Sequence, residues 1–109
     1  MTKIKNAPHT GDLEPQDYTD FSSWIAYWES KKGGLKHILI PENSSLYKCS
    51  KCGKLFTWRN FDGAHVVKVD SEDRKKYIYP LCQECNRSRE ETPFEGYASL
   101  LLEIPPKKK

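Results

Sequence analysis

Two C-x-x-C pairs constrain this chain more than any other feature: Cys49-Ser50-Lys51-Cys52-Gly53 and Cys82-Gln83-Glu84-Cys85, with 29 residues between them. Two thiolates separated by two residues bite one metal ion when the backbone turns tightly, and a glycine just after them relieves the crowding. In the second pair the spacing suits the first turn of a helix, where positions i and i+3 share a face. The positive helix end there also favours thiolate over thiol. The excursion between the pairs is longer than a compact ribbon, so strands must be inserted into it. Two other chemistries use such cysteines. Disulfides need an oxidising compartment, and the first thirty residues carry no charged-apolar-small export pattern. A redox C-x-x-C normally comes once, in a strand–helix context, rather than twice with a lysine-rich turn. We therefore read one structural Zn²⁺, closed and four-coordinate, held by Cys49, Cys52, Cys82 and Cys85.

The size of the chain makes such an ion useful. Its 109 residues suit one domain, and with 37% hydrophobic and 30% charged residues it can bury only a modest core. No aliphatic run exceeds three residues (Leu100-Leu101-Leu102), which excludes a membrane-spanning helix. Reduced cysteines and the missing export pattern predict a cytoplasmic protein.

Charge is uneven along the chain. Residues 48–89 hold ten Lys and Arg against five acids, whereas residues 1–47 hold five Lys against six acids and residues 90–109 three Lys against four. Four thiolates around Zn²⁺ add two negative charges to the cysteine-bearing segment, so a modest basic excess survives there. Such an excess suits a phosphate-rich partner, DNA or RNA, or else a solvated surface. Lys48, Lys51, Lys54, Arg59, Lys68, Arg87 and Arg89 are the candidate phosphate contacts.

Hydropathy patterning predicts three regions: an irregular segment over 1–19, a zinc-stabilised domain over 20–104 and a basic tail over 105–109. Pro8, Gly11 and Pro15 break the first region. Phe21, Trp24, Ile25 and Trp28 form one apolar stripe of an amphipathic N-terminal helix over about 20–32, with Thr19 or Asp20 as N-cap and Gly33-Gly34 as stop. Ile38-Leu39-Ile40 is β-prone. Leu46-Tyr47 and the run from Leu55 to Trp58 read as the arms of a hairpin around the first cysteine pair. Further strands are expected over 64–69, bent at Gly63, and over 77–79, ended by Pro80. Residues 82–91 read as a short helix and 97–104 as extended chain. Tyr77, Tyr79 and Trp58 are aromatic side chains suited either to the core or to stacking on bases.

A hairpin-borne pair followed by a helix-borne pair describes a treble clef, so the expected fold class is α+β, a small treble-clef zinc domain with an added N-terminal helix. The run Gly63-Ala64-His65-Val66, with Tyr77-Ile78-Tyr79-Pro80-Leu81-Cys82-Gln83-Glu84-Cys85-Asn86, resembles the ββα-metal core of HNH endonucleases that carry two C-x-x-C pairs. Together with the helix motif running from Trp24 to Glu29, the chain is closer still to small bacterial proteins with a W-x-x-Y-W-E helix and a G-A-H-V…Y-I-x-P-L-C-x-x-C-N core. The likeness covers about residues 20–90. It implies His65 as general base and Asn86 as ligand of a second, catalytic divalent cation such as Mg²⁺, Mn²⁺ or Ni²⁺, with Arg87 and Arg89 placed to clamp phosphate.

This chain departs from the family at two points. The residue before the base histidine, usually Asp or His, is Ala64, whose methyl coordinates nothing. No asparagine lies between His65 and Cys82 to orient the base. Asp62, Asp70, Glu72 and Asp73 are the carboxylates that folding could bring into the lost position. The expectation is a zinc-binding HNH-like module that contacts nucleic acid without cutting it. The alternatives are a metal-dependent endonuclease using His65, and a zinc domain that docks a protein partner. His65 then reads as a packing or vestigial residue, or as a zinc ligand in place of a cysteine.

Overall fold

The computed structural model describes residues 1–7, 13–88 and 90–108. The fold is mixed α/β. Five strands form an antiparallel sheet: β1 (Thr2–Asn6), β4 (Phe61–Lys68), β5 (Tyr77–Cys82), β6 (Phe94–Gly96) and β7 (Leu102–Glu103), in the order β6-β1-β4-β5-β7. A separate two-stranded hairpin, β2 (Tyr47–Lys48) with β3 (Leu55–Phe56), carries the first cysteine pair as its turn. Helix α1 (Trp24–Lys32) packs on β4 and β5, and the short helix α2 (Gln83–Arg87) follows β5 directly.

The spine of the sheet is the β4–β5 ladder, with Phe61 opposite Cys82, Gly63 opposite Pro80 and His65 opposite Ile78. Directly paired residues share a face and neighbours along a strand alternate. Phe61, Gly63, His65, Ile78 and Pro80 therefore lie on one face, where α1 packs. Asp62, Ala64, Val66, Tyr79 and Leu81 lie on the other. Both faces are covered: Trp24 and Trp28 of α1 bury the first, while Ile4, Ala64, Val66, Tyr79 and Leu81 form the core of the second.

Several expectations change. Residues 1–19 are not irregular throughout, because β1 lies inside the sheet between β4 and β6. In Thr2-Lys3-Ile4-Lys5-Asn6 only Ile4 is apolar, so the strand has no readable period; tertiary pairing makes it. The sheet thus extends the folded unit beyond the predicted 20–104, and α1 is not N-terminal. The helix also starts later than predicted. Thr19 Oγ1 donates to the Pro15 carbonyl and accepts from the Phe21 N–H at 3.0 Å, a local turn that takes it out of capping. Ser23 caps instead, accepting from Ala26 N–H at 3.2 Å, and Phe21 falls outside the helix.

At its other end α1 passes into a 3-10 stretch, Gly33–Leu39, so the β-prone run at 38–40 is not a strand. Pro80 does not end β5. Only Tyr77 and Ile78 pair with β7, so Pro80 lies beyond the stretch where its missing N–H would be needed on that side. The helix predicted over 82–91 is shorter, ending at Arg87 with Ser88 extended, and the 97–104 segment divides into a 3-10 turn, Ala98–Leu100, and β7. In the basic tail, Lys108 is tied back: its N–H donates to the Asp17 carbonyl at 2.8 Å and its ammonium pairs with Asp20.

Candidate metal centre

The first cysteine pair is shaped by its turn. Gly53 N–H donates to the Cys49 carbonyl at 2.8 Å and Cys49 N–H to the Lys54 carbonyl at 2.9 Å, closing the hairpin around the sulfurs. Gly53 has φ +77°, a left-handed conformation that costs any residue with a Cβ, which is why glycine follows Cys52. The second pair sits at the junction of β5 and α2: Cys82 is the helix N-cap and Cys85 lies within the helix. The hairpin and this junction bring all four sulfurs within 4.8 Å of one another, with Cys52 Sγ and Cys82 Sγ 3.9 Å apart.

That spacing separates metal from disulfide chemistry. A disulfide holds its sulfurs about 2.0 Å apart. Four sulfurs about 2.3 Å from a tetrahedral ion stand about 3.8 Å from each other. The four cysteines form no disulfide, and Cys49 and Cys82 are buried. The protonation energetics point the same way. Burial pushes the Cys49 thiol up, but the backbone N–H groups of Cys52, Cys82 and Lys51 and the Cys52 thiol bond to its sulfur and bring it below the ordinary thiol value. Burial pushes Cys82 up to about 11, and burial with the neighbouring thiols pushes Cys85 higher still. Thiols crowded in this way cannot all ionise alone; a central cation replaces their protons. The donor set fits a bound metal ion.

Asn6 braces this centre from β1. Its side-chain amide donates to the carbonyls of Cys85 (3.1 Å), Ser88 (3.4 Å) and Glu90 (3.4 Å), fixing the chain that leaves α2. Lys51 adds a bond from its ammonium to the Glu90 carbonyl at 3.2 Å. Ser50 Oγ meets the Tyr79 hydroxyl at 2.8 Å, joining the cysteine hairpin to the sheet. Nothing in the sequence signals the role of Asn6, a lone polar residue in a segment without periodicity.

His65 and Asn86 are not brought together. Asn86 Nδ2 donates to Asp62 Oδ2 at 3.0 Å, so Asp62 is the carboxylate that folding places beside Asn86. Asp62 and His65 are three positions apart on β4 and project from opposite faces. The ring of His65 lies edge-on to Trp24 of α1, centroids 5.3 Å apart, and its Nε2 is buried without a hydrogen-bond partner among the described residues. Burial, and then the charge of Lys76, push its pKa down to about 4. Asp73, another candidate carboxylate, is bound instead by the Tyr77 hydroxyl (2.5 Å) and Lys68 (3.3 Å).

The buried imidazole makes stability depend on pH. The native ring stays neutral to about pH 4, whereas an unfolded histidine takes up a proton near 6.5. Between those values the unfolded state binds more protons, so stability is complete above about pH 6.5 and falls as pH drops. From pH 7.5 to 5.5 the wild type should lose about 1 kcal/mol more than His65→Gln, measured by urea denaturation of metal-loaded protein. Equal losses in both would remove His65 as the source.

The candidate phosphate contacts divide by position. Lys48, Lys51, Lys54 and Arg59 lie on or beside the hairpin, and Arg87 on α2; Lys48, Lys54, Arg59 and Arg87 are exposed. None of these four has an ion-pair partner among the described residues. Lys68 is elsewhere, at the far end of β4 and engaged with Asp73 and the Tyr77 ring. Arg89 lies outside the described residues. The aromatics belong to the core: Tyr79 is fully buried, Tyr77 is bound to Asp73, and Trp58 stacks on Phe61 at 5.3 Å with Lys36 over its ring.

No family model matches the chain, and no solved structure matches it. Among curated proteins it is similar to calbindin of Homo sapiens and of Rattus norvegicus, 26% identical over 76 residues, which cover 64% of this chain and 29% of the calbindin. With calbindin of Gallus gallus it is 31% identical over 48 residues, 44% of this chain and 18% of that protein. The chain therefore spans less than a third of the length of the curated relatives it matches. Among the described residues, no helix is long and apolar enough to cross a membrane.

Proposed function

We propose that this chain is a zinc-held, HNH-like treble-clef module whose cysteine end contacts the phosphate backbone of DNA or RNA without cutting it. The observation that carries the reading is the closed cluster of four sulfurs, offered by a tight hairpin on one side and a strand–helix junction on the other. Soft thiolates in a tetrahedral set favour Zn²⁺ over hard cations. The nucleic-acid part rests on Lys48, Lys54, Arg59 and Arg87, cations near that centre with no internal ion-pair partner among the described residues. The absence of cutting rests on the opposite faces of His65 and Asn86 and on Ala64 beside the histidine. An imidazole already neutral at pH 7 suits a base, but it must reach the same phosphate as the metal.

The likeness to calbindin raises an oxygen-ligand calcium loop. Such a loop needs Asp at its first position and Gly at its sixth, and no glycine in this chain has Asp five residues before it. The thiolate reading is therefore preferred.

The test is binding of zinc-loaded protein to duplex DNA and to single-stranded RNA across a salt series. Four phosphate contacts on a duplex predict a loss of about a hundredfold between 50 and 200 mM salt. Reversing Lys54 and Arg59 together to Glu should reduce both the affinity and the slope. In the same samples, plasmid should remain un-nicked with Mg²⁺, Mn²⁺ or Ni²⁺. A flat salt dependence removes nucleic acid from the reading, and nicking that His65→Ala abolishes replaces the module with an enzyme.

A further inference from the structure

We propose that the cleft between residues 13–18, the loop over 70–76 and strand β7 is a second binding site, which takes a phosphate-bearing ligand of nucleotide type. Arg74 and Lys76 would hold the phosphate, and Leu13, Tyr18 and Ile104 would face the base and sugar. The cleft is open and holds about 320 Å³ between these residues, Lys75 and Glu103, at the lower end of the size range of small-ligand sites, roughly 300–1,000 Å³. Its lining combines the two features such a ligand needs, cations and aromatic or aliphatic side chains.

The backbone that carries the cations is held in place, and two of the three are not neutralised. Lys75 is the one paired, with Glu103 at 3.6 Å; Arg74 and Lys76 have no ion-pair partner among the described residues. Their loop is fixed by Asp73, whose Oδ1 accepts from the Lys75 N–H at 2.8 Å and whose Oδ2 takes the Tyr77 hydroxyl at 2.5 Å and Lys68 at 3.3 Å. Asp70 adopts the left-handed conformation, φ 56°, that turns the chain at the start of this loop. The Ile104 N–H, donated to the Lys76 carbonyl at 3.1 Å, clamps the loop's far end to β7. The field of Lys76 is felt inside the protein, since it adds to burial in holding His65 neutral. The Glu103 carboxylate also lines the cleft but is paired with Lys75, so Arg74 and Lys76 remain for an anion.

Tyr18 is similarly placed by packing. Its ring lies 5.8 Å from Trp24, which in turn meets His65, and the Trp24 indole donates to the Leu13 carbonyl at 3.1 Å. Both sides of the cleft are thus anchored before any ligand arrives. The site is distinct from the metal centre: the β4–β5 ladder runs from Phe61–Cys82 at the cysteine end to Val66–Tyr77 at this one, about 17 Å along the strands. It stands whether or not the cysteine end contacts nucleic acid.

The experiment is a titration of metal-loaded full chain with 5′-AMP, adenosine, inorganic phosphate and a 5′-phosphorylated oligothymidylate, followed by backbone amide shifts and calorimetry. AMP should bind, with shifts centred on Leu13, Tyr18, Arg74, Lys76 and Ile104, and adenosine at least tenfold more weakly. Arg74→Glu and Lys76→Glu, both on exposed loop positions, should each weaken AMP at least tenfold, while Lys31→Glu, at the exposed end of α1, leaves it unchanged. Tighter binding of the oligothymidylate than of AMP assigns a strand end as the ligand; equal or weaker binding assigns the free nucleotide. No AMP binding, equal affinity for adenosine and AMP, charge reversals without effect, or shifts confined to the cysteine end would each overturn the proposal.

Discussion

Stripping the metal with a strong chelator should unfold this chain rather than loosen one loop. The hairpin that carries Cys49 and Cys52 has two residues in each strand, far too little to stand alone. Its attachment to the rest runs through the sulfurs, the Ser50–Tyr79 and Lys51–Glu90 bonds and an aromatic cluster in which Tyr47, Phe56 and Trp58 pack on Phe61. Without the cation, the Cys82 and Cys85 thiols, which burial keeps protonated, remain pressed against the Cys49 sulfur. Structural zinc in zinc-finger peptides is worth about 10–16 kcal/mol of binding, against about 5–15 kcal/mol for the whole stability of an ordinary domain. Cys49→Ser should be as damaging as chelation, because Cys49 is fully buried and its sulfur gathers N–H groups from both pairs. Tryptophan emission gives the readout. Trp58 joins the hairpin cluster and lies 5.6 Å from the fully buried Trp28, so both rings should shift to the red as metal leaves. Chelated protein shown to be metal-free, yet keeping blue emission and dispersed amide signals, would refute the metal-held fold.

The sequence made the metal centre legible because its chemistry is local. Ligand spacing, a glycine after the turn and a short helix after the second pair can all be read within a few residues. The hairpin arms at Tyr47 and Leu55 followed for the same reason. The sheet was less legible. β1 has one buried apolar residue and β7 is two residues long, so neither carries a period; both exist because the β4–β5 ladder offers edges to pair with. Thr19 shows a different difficulty, since a hydroxyl suited to capping is equally suited to a turn, and only tertiary packing chooses Ser23. The separation of His65 from Asn86 was partly available. Strand alternation puts Asp62 and His65 on opposite faces, but the contact of α2 with Asp62 through Asn86, and its brace by Asn6, are tertiary and no pattern announces them.

Replacing Gly63 should cost more than its place on the protein's face suggests. A glycine within a strand marks either a bend or a close approach of backbone, and the structure decides for the second: Gly63 is in the middle of β4, opposite Pro80, directly under the first turn of α1. A Cβ there would lie 2.7 Å from the Trp24 carbonyl carbon and 2.8 Å from the Ile25 nitrogen. Those atoms belong to the helix backbone, so no side chain can rotate away; the helix itself must move. In an unobstructed position Gly→Ala stabilises by about 0.4–1 kcal/mol through the unfolded chain. Here the overpacking term, about 1–3 kcal/mol, acts against it and sets the sign, so Gly63→Ala should destabilise by about 1 kcal/mol net and Gly63→Val by more. The displacement has a local signature as well. Lifting the first turn withdraws Trp24 from the His65 ring and admits water, so the histidine, held near 4 chiefly by burial, should titrate closer to its ordinary value. Urea denaturation and an imidazole titration on the same Gly63→Ala sample measure both effects. A variant as stable as the wild type, with His65 unmoved, would mean that α1 does not rest on β4 at this point. The face that holds His65 away from Asn86 would then have to be drawn again.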